Sequence, residues 1–119
     1  GQHVYHLAWS PDGNQLASCG RQLPVSVVDI VTKKSGRSLG TVDDAFTAVA
    51  WSPDGRFLAG AGATGTTVWD LKSEEEKVAV KLPGASTSVA WSPDGKQLVT
   101  ASSRAQVQIW DFACQAAAK

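Results

Sequence analysis

The hexapeptide AWSPDG is repeated along the 119-residue chain, at residues 8–13, 50–55 and 90–95. The distances between its three tryptophans are 42 and 40 positions. A second landmark follows each hexapeptide in steps of 41 positions, and it reads Val-Asp at 28–29, Trp-Asp at 69–70 and Trp-Asp at 110–111. Because two separate landmarks keep one period, the chain is three copies of a unit of about 41 residues.

The Ser-Pro-Asp-Gly part of each hexapeptide is a turn sequence. Proline presets φ at the second turn position, aspartate is tolerated at the third, and glycine takes the left-handed conformation that closes a hairpin. The segments VYHLAW, FTAVAW and STSVAW precede the turns, and NQLASC, RFLAGA and KQLVTA follow them. Such short runs of valine and small residues between turn signals are typical of β-strands.

Each unit is predicted to form a four-stranded antiparallel sheet. The third strands, VSVVD, TTVWD and VQIWD, end on the second landmark, and fourth strands are predicted at residues 38–42 and 77–82. Four strands in about 41 residues make one blade of a β-propeller. We therefore predict an all-β chain of three blades, at about residues 3–42, 46–82 and 86–112, the last followed by a short tail.

The pattern resembles the WD-repeat family over residues 3–111, through the SPDG turn, the small-residue second strand and the closing Trp-Asp. The resemblance implies an intracellular, cytoplasmic propeller that binds proteins or peptides. The chain departs from that family in two features. Of the Gly-His before the first strand, only His3 or His6 could fill the role in the first unit, and the other two units have none; aspartate is missing between the second and third strands. The chain is also similar to TolB-like propellers, whose blades carry a WSPDG-type turn and end as Val28-Asp29 does, but the two Trp-Asp dipeptides favour the WD-repeat family.

Three blades leave a propeller ring open, because propellers typically close with 4–8 blades and each blade buries its faces only against its neighbours. Identical chains can close the ring head to tail, or the chain is a fragment of a longer propeller. The 119-residue length favours self-assembly. We expect a trimer of nine blades rather than a dimer of six, because a tryptophan at every junction resists the tighter wedge. Eight residues follow Asp111, so the outer strand of the last blade is in doubt.

Composition argues against several functions. Eleven basic and eleven acidic residues give zero net charge, so neither nucleic acid nor a membrane surface is an expected partner. Cys19 and Cys114 are too far apart in sequence to indicate a zinc site, and two unpaired thiols suit a reducing compartment. The repeated aspartates occur once per turn and are expected to stabilise turns. We therefore expect no catalytic residue, no cofactor and no metal.

The expected function is a non-enzymatic interaction scaffold that binds itself, with other proteins or peptides as further candidate partners. Loops and strand ends at the narrow end of the ring are candidate contacts, because exposed aromatic and arginine side chains are common in interface hot spots. The candidate partner-binding residues are Tyr5, Arg21, Gln22, Phe46, Ser86 and Arg104. The alternative is a designed or minimal propeller fragment, or a TolB-like one, without an evolved ligand.

Overall fold

The computed structural model of the chain describes residues 3–21, 23–31, 34–39, 45–71, 78–82, 84–102 and 106–111. All regular structure in this part of the chain is β-strand. The first repeat forms β1 to β4, which are His3–Trp9, Gln15–Arg21, Leu23–Asp29 and Lys34–Leu39. The second forms β5 to β8, which are Ala48–Trp51, Phe57–Gly62, Gly65–Asp70 and Val78–Leu82. The third forms β9 to β11, which are Ser88–Trp91, Gln97–Ala101 and Val107–Asp111.

Each repeat folds into its own antiparallel sheet, in which every strand pairs with the next strand along the chain. The first two sheets have four strands and the third has three within the described residues. This confirms the prediction of an all-β chain built from three blades. The question of an outer strand in the last blade concerns residues 112–119, which lie outside the described residues.

The predicted position of one outer strand is wrong. The sequence analysis placed it at residues 38–42, but β4 is Lys34–Leu39. Its pairing with β3 already begins at Asp29 and Lys34, directly after the turn. The first residues of β4 read KSGR, which is a weak strand pattern. An outer strand pairs along one edge only, so polar residues are tolerated there and sequence pattern places it poorly.

The hydrophobic core lies between the sheets, in two layers. The first layer joins the first and second blades and includes Ala17, Val27, Trp51 and Leu58. The second joins the second and third blades. Strand β6 of the middle blade is buried at all six positions, because both of its faces are covered by a neighbouring blade.

Candidate functional site

Two of the predicted partner-binding side chains are buried, so the prediction that they are exposed is wrong. Phe46 is 1% exposed, and its ring meets the Trp69 ring edge to face at 5.4 Å between centroids. Ser86 is 6% exposed, and its Oγ lies 2.8 Å from Thr66 Oγ1 in the neighbouring blade, within hydrogen-bond distance. Both residues precede an inner strand, where the neighbouring blade covers them, and this covering depends on tertiary packing.

The other four candidates are placed only in part. Tyr5 lies in β1 and Arg21 ends β2, where its backbone pairs with that of His3. Nothing further is described for their side chains, and Gln22 and Arg104 lie outside the described residues. Partner binding at these positions stays a prediction.

The three turn aspartates make the same local hydrogen bonds. Asp12, Asp54 and Asp94 each accept a bond from the turn serine, at 2.6, 2.5 and 2.6 Å between oxygens. Each also accepts the backbone N–H two residues later, at 2.9–3.0 Å. Every carboxylate therefore closes its own turn, as the sequence analysis expected. Within the described residues, no three His, Cys, Asp or Glu side chains are grouped to hold a metal ion.

Two further side chains with potential for chemistry are His6 and Cys19. The imidazole of His6 accepts the backbone N–H of Val49 at Nδ1, at 3.1 Å, and so joins the first two blades. Cys19 is a buried free thiol, and burial raises its pKa to about 11. Such a thiol is almost wholly protonated at neutral pH and is a poor nucleophile.

The described part of the chain contains no helix with the length and apolar character of a membrane span.

The junctions between blades repeat one set of contacts. The indole N–H of Trp51 donates to the Ala8 carbonyl of the preceding blade at 3.0 Å, and Trp91 donates to the Ala50 carbonyl at the same distance. The turn glycines of the second and third blades also lie against the turn proline of the blade before. A Cβ on Gly55 would lie 3.7 Å from Pro11 Cδ, and one on Gly95 would lie 3.5 Å from Pro53 Cδ.

The second junction has an additional aromatic contact. Phe57 stacks on Trp91 with 6.3 Å between ring centroids and an interplanar angle of 25°. Arg56 lies over the Phe57 ring, with its guanidinium carbon 5.0 Å from the ring centroid. The same guanidinium donates to both carboxylate oxygens of Asp70, at 3.0 and 3.3 Å. Gln15 and Gln97 occupy the position of Phe57 in the outer two blades. The middle blade is therefore specialised at this contact, whereas the first and third blades resemble each other.

At each internal junction a blade packs one face against the blade that precedes it in the chain. The first blade exposes the side chains of this face. Trp9 is 60% exposed, whereas Trp51, its equivalent in the second repeat, is 8% exposed. Leu7 is likewise exposed, whereas Val49 is buried. Leu7 and Trp9 lie two residues apart on one strand and so share a face. We call the surface formed by these two residues the first end face.

The third blade exposes the side chains of the other face, which in the first two blades packs against the blade that follows in the chain. Ile109 is 65% exposed, whereas its equivalents Val27 and Val68 are 2% and 0% exposed. Val107 is 67% exposed, whereas its equivalents Val25 and Thr66 are buried. Alternate positions on β11 share a face, and we call the surface formed by Val107, Ile109 and the exposed Ala90 the third end face.

The two end faces are the candidate functional site. Sequence reasoning predicted that an open array exposes apolar blade faces and that a tryptophan lies at every junction, but Leu7, Val107 and Ile109 were not among its candidate contacts. A signal for them was present in the sequence. Trp9 belongs to the repeated tryptophan position, and Ile109 belongs to a repeated position of the third strand. They lie in the first and third blades, each of which has no internal neighbour on one side.

Comparisons with known proteins support the fold. Residues 1–115 match the sequence model of a family described as eukaryotic translation initiation factor eIF2A. No curated protein sequence matches the chain. A solved structure titled Kuenenia stuttgartiensis hydrazine synthase is similar over 94% of this chain, with a TM-score of 0.79 and 26% sequence identity, and the chain spans 33% of that protein's chain. Because the family model covers nearly the whole sequence, the chain belongs to the eukaryotic translation initiation factor eIF2A family.

Proposed function

We propose that the chain is a non-enzymatic protein-interaction scaffold, three blades of WD-repeat type that complete a propeller ring with further copies of the same chain. The observation that carries the proposal is the pair of exposed end faces. The counterparts of their large side chains at the internal junctions are buried, except that Trp91 is partly exposed. The family match supports the propeller part of the proposal, and the Trp-Asp dipeptides at 69–70 and 110–111 support the WD-repeat part.

The end faces supply apolar surface that favours association. Full burial of a large apolar side chain contributes about 1.5–3 kcal/mol. Four such residues, Leu7 and Trp9 on one face and Val107 and Ile109 on the other, are 58–67% exposed, so burial of their remaining surface contributes about 4–7 kcal/mol per junction before the entropy of association is subtracted. The zero net charge removes any long-range repulsion between copies.

The non-enzymatic part of the proposal is supported by the described polar side chains. The repeated aspartates are bound within their own turns, and His6 is bound to the backbone of the next blade. The name of the structural neighbour is that of an enzyme, but the match spans a third of its chain, so we do not extend its activity to this protein.

The experiment that tests self-assembly is the solution mass, measured by light scattering over a concentration series. We expect three times the chain mass of 12.5 kDa, which corresponds to a ring of nine blades. Twice the chain mass would contradict the trimer and leave ring closure by six blades. A single species of 12.5 kDa at micromolar concentration would contradict self-assembly.

A further inference from the structure

We infer that the contact between copies is a third occurrence of the internal blade junction, with the Trp9 indole of one copy donating to the Ala90 carbonyl of the next. This inference rests on the proposed self-assembly and specifies its geometry. The partner is a second copy of this chain, and the two end faces are the two halves of one interface.

The repeat predicts the register of the interface. Trp51 bonds the Ala8 carbonyl and Trp91 bonds the Ala50 carbonyl, so each tryptophan reaches the AWSPDG alanine of the blade before it. The first blade supplies the tryptophan of one more such pair, Trp9, and the third blade supplies the alanine, Ala90. A blade that continues the pattern past the third would place its tryptophan on Ala90, and the first blade of a second copy supplies one.

The turns give an independent match in the same register. Gly55 lies against Pro11 and Gly95 lies against Pro53, whereas a Cβ on Gly13 would meet nothing within 4 Å. Pro93 is the exposed turn proline of the third blade. When Trp9 is placed on Ala90, the shared AWSPDG spacing brings Gly13 of the same copy to Pro93.

The third blade resembles the blade that already accepts this contact. The first blade packs Ala17 and Val27 against the second. The third blade has Val99 and Ile109 at the same positions, and Gln97 takes the position of Gln15. On the other side, Leu7, Leu16 and Ile30 of the first blade take the positions of Val49, Leu58 and Leu71 of the second. The new junction therefore keeps apolar residues at these positions. Val28 replaces the larger Trp69, Val4 takes the position of Phe46, and Ser88 takes the position of His6, which bonds Val49 at the first junction.

The interface must be head to tail. The first end face carries an indole N–H donor, and its counterpart acceptor is a carbonyl on the third end face. Two first end faces brought together would place two tryptophan donors opposite each other without the acceptor that each internal junction supplies. A heterologous contact of this kind closes into a ring when the rotation between copies is right, whereas an isologous one stops at two copies.

Two face-blocking variants test the register. Trp9→Arg blocks the first end face and Ile109→Arg blocks the third, and both side chains are exposed in the single chain, so folding is retained. We expect each variant alone to be monomeric. An equimolar mixture should form a dimer and nothing larger, because one intact first end face meets one intact third end face. Val31→Arg is the matched control, since Val31 is an exposed apolar residue whose equivalent in the second repeat is Lys72, and it should assemble like the wild type.

Each outcome has a distinct meaning. A monomeric wild-type chain contradicts the proposed function itself. A wild type that assembles while either blocked variant still dimerises alone shows an isologous interface and overturns the inference. The inference also fails if the wild type assembles and the mixture stays monomeric at concentrations well above those of wild-type assembly, or if Val31→Arg is monomeric.

The hydrogen bond is tested within the same mixture. In the Ile109→Arg chain, the further substitution Trp9→Phe keeps an aromatic ring and removes the indole N–H. We expect its affinity for the Trp9→Arg chain to fall about tenfold or more. An unchanged affinity overturns the assignment of Ala90 as the acceptor of Trp9.

Discussion

The serine that opens each hairpin turn makes two hydrogen bonds with one hydroxyl. In the middle blade, Ser52 Oγ donates to Asp54 and accepts the backbone N–H of Phe57 at 3.0 Å. The N–H of Gly55 donates to the Ser52 carbonyl at 2.9 Å, and Gly55 has φ of 74°. The other two turns have the same bonds and glycine φ values of 75° and 74°. The turn is therefore specified by residues adjacent in sequence.

Replacement of Gly55 tests the left-handed backbone at this turn. We expect Gly55→Val to lower the free energy of unfolding by about 1–2 kcal/mol, because a β-branched residue is strained at positive φ. Gly55→Asn is the matched control and should lose less, because asparagine adopts this conformation more readily. Chemical denaturation measures both variants, and equal stability of Gly55→Val and wild type would contradict the turn geometry.

The turn aspartate of the middle blade should make stability depend on pH. Partial burial raises the pKa of Asp54, but hydrogen bonds from Ser52 and Arg56 outweigh it and hold the pKa below the ordinary value of 3.8. Folding therefore favours the carboxylate, so this stability is present above pH 3.8 and is lost as the pH falls through the lower, folded value. We expect Asp54→Asn to lose stability at neutral pH and to depend less on pH in acid.

Denaturation at neutral pH and at about pH 3 measures this effect. The decrease in stability between the two conditions should be smaller in Asp54→Asn than in wild type. A variant that matches the wild-type decrease would show that the Asp54 carboxylate is not a source of the acid sensitivity.

At the scale of the element, a blade is a sheet that needs a neighbour on each face. The middle blade has both neighbours, and β6 and most of β7 are buried on both faces. The small residues of β6 allow close approach, and a Cβ on Gly60 would lie 3.0 Å from the Phe46 and Trp69 rings. The tryptophan of each first strand then fixes the position of the blade relative to the one before.

Removal of the indole N–H should weaken a blade junction. We expect Trp51→Phe to cost about 2 kcal/mol, because it deletes a hydrogen bond and leaves space in a buried contact. Trp110→Phe is the control: Trp110 donates to Thr100 Oγ1 of its own sheet at 3.2 Å and is partly exposed, so its loss should be smaller. Unfolding free energies in denaturant compare the two, and a larger loss at Trp110 would contradict the role given to the junction.

At the scale of the whole molecule, the three blades form an open array with two unlike ends. One end presents Leu7 and Trp9, and the other presents Val107 and Ile109. Both ends are apolar and the chain has no net charge, so the assembly we propose depends on burial of apolar surface rather than on ion pairs.

The assembly should therefore resist salt. We expect the solution mass to stay at the oligomer value when sodium chloride is raised to about 1 M, where charge pairs at an exposed interface are screened. Light scattering in low and high salt is the measurement, with Val31→Arg as a control for unrelated charge effects. Dissociation to the 12.5 kDa chain in high salt would show that charges hold the interface.

The sequence by itself determined the number of blades, the three hairpin turns and most of the strands. Each of these depends on residues close together in the chain: a proline, an aspartate and a glycine in four positions, and short runs of strand-forming residues. The weak polar pattern of β4 shows the limit of such reasoning, because pairing with β3 defines that strand.

The tertiary structure alone decided which members of each repeat are covered. Trp9 and Trp51 have the same local sequence, yet one is exposed and the other is buried, because burial depends on whether another blade lies beside the strand. The same reason accounts for Phe46 and Ser86, which the sequence analysis placed on the surface and the neighbouring blades enclose. A repeat unit defines its own turns and strands, but the adjoining blade determines which of its faces meets water.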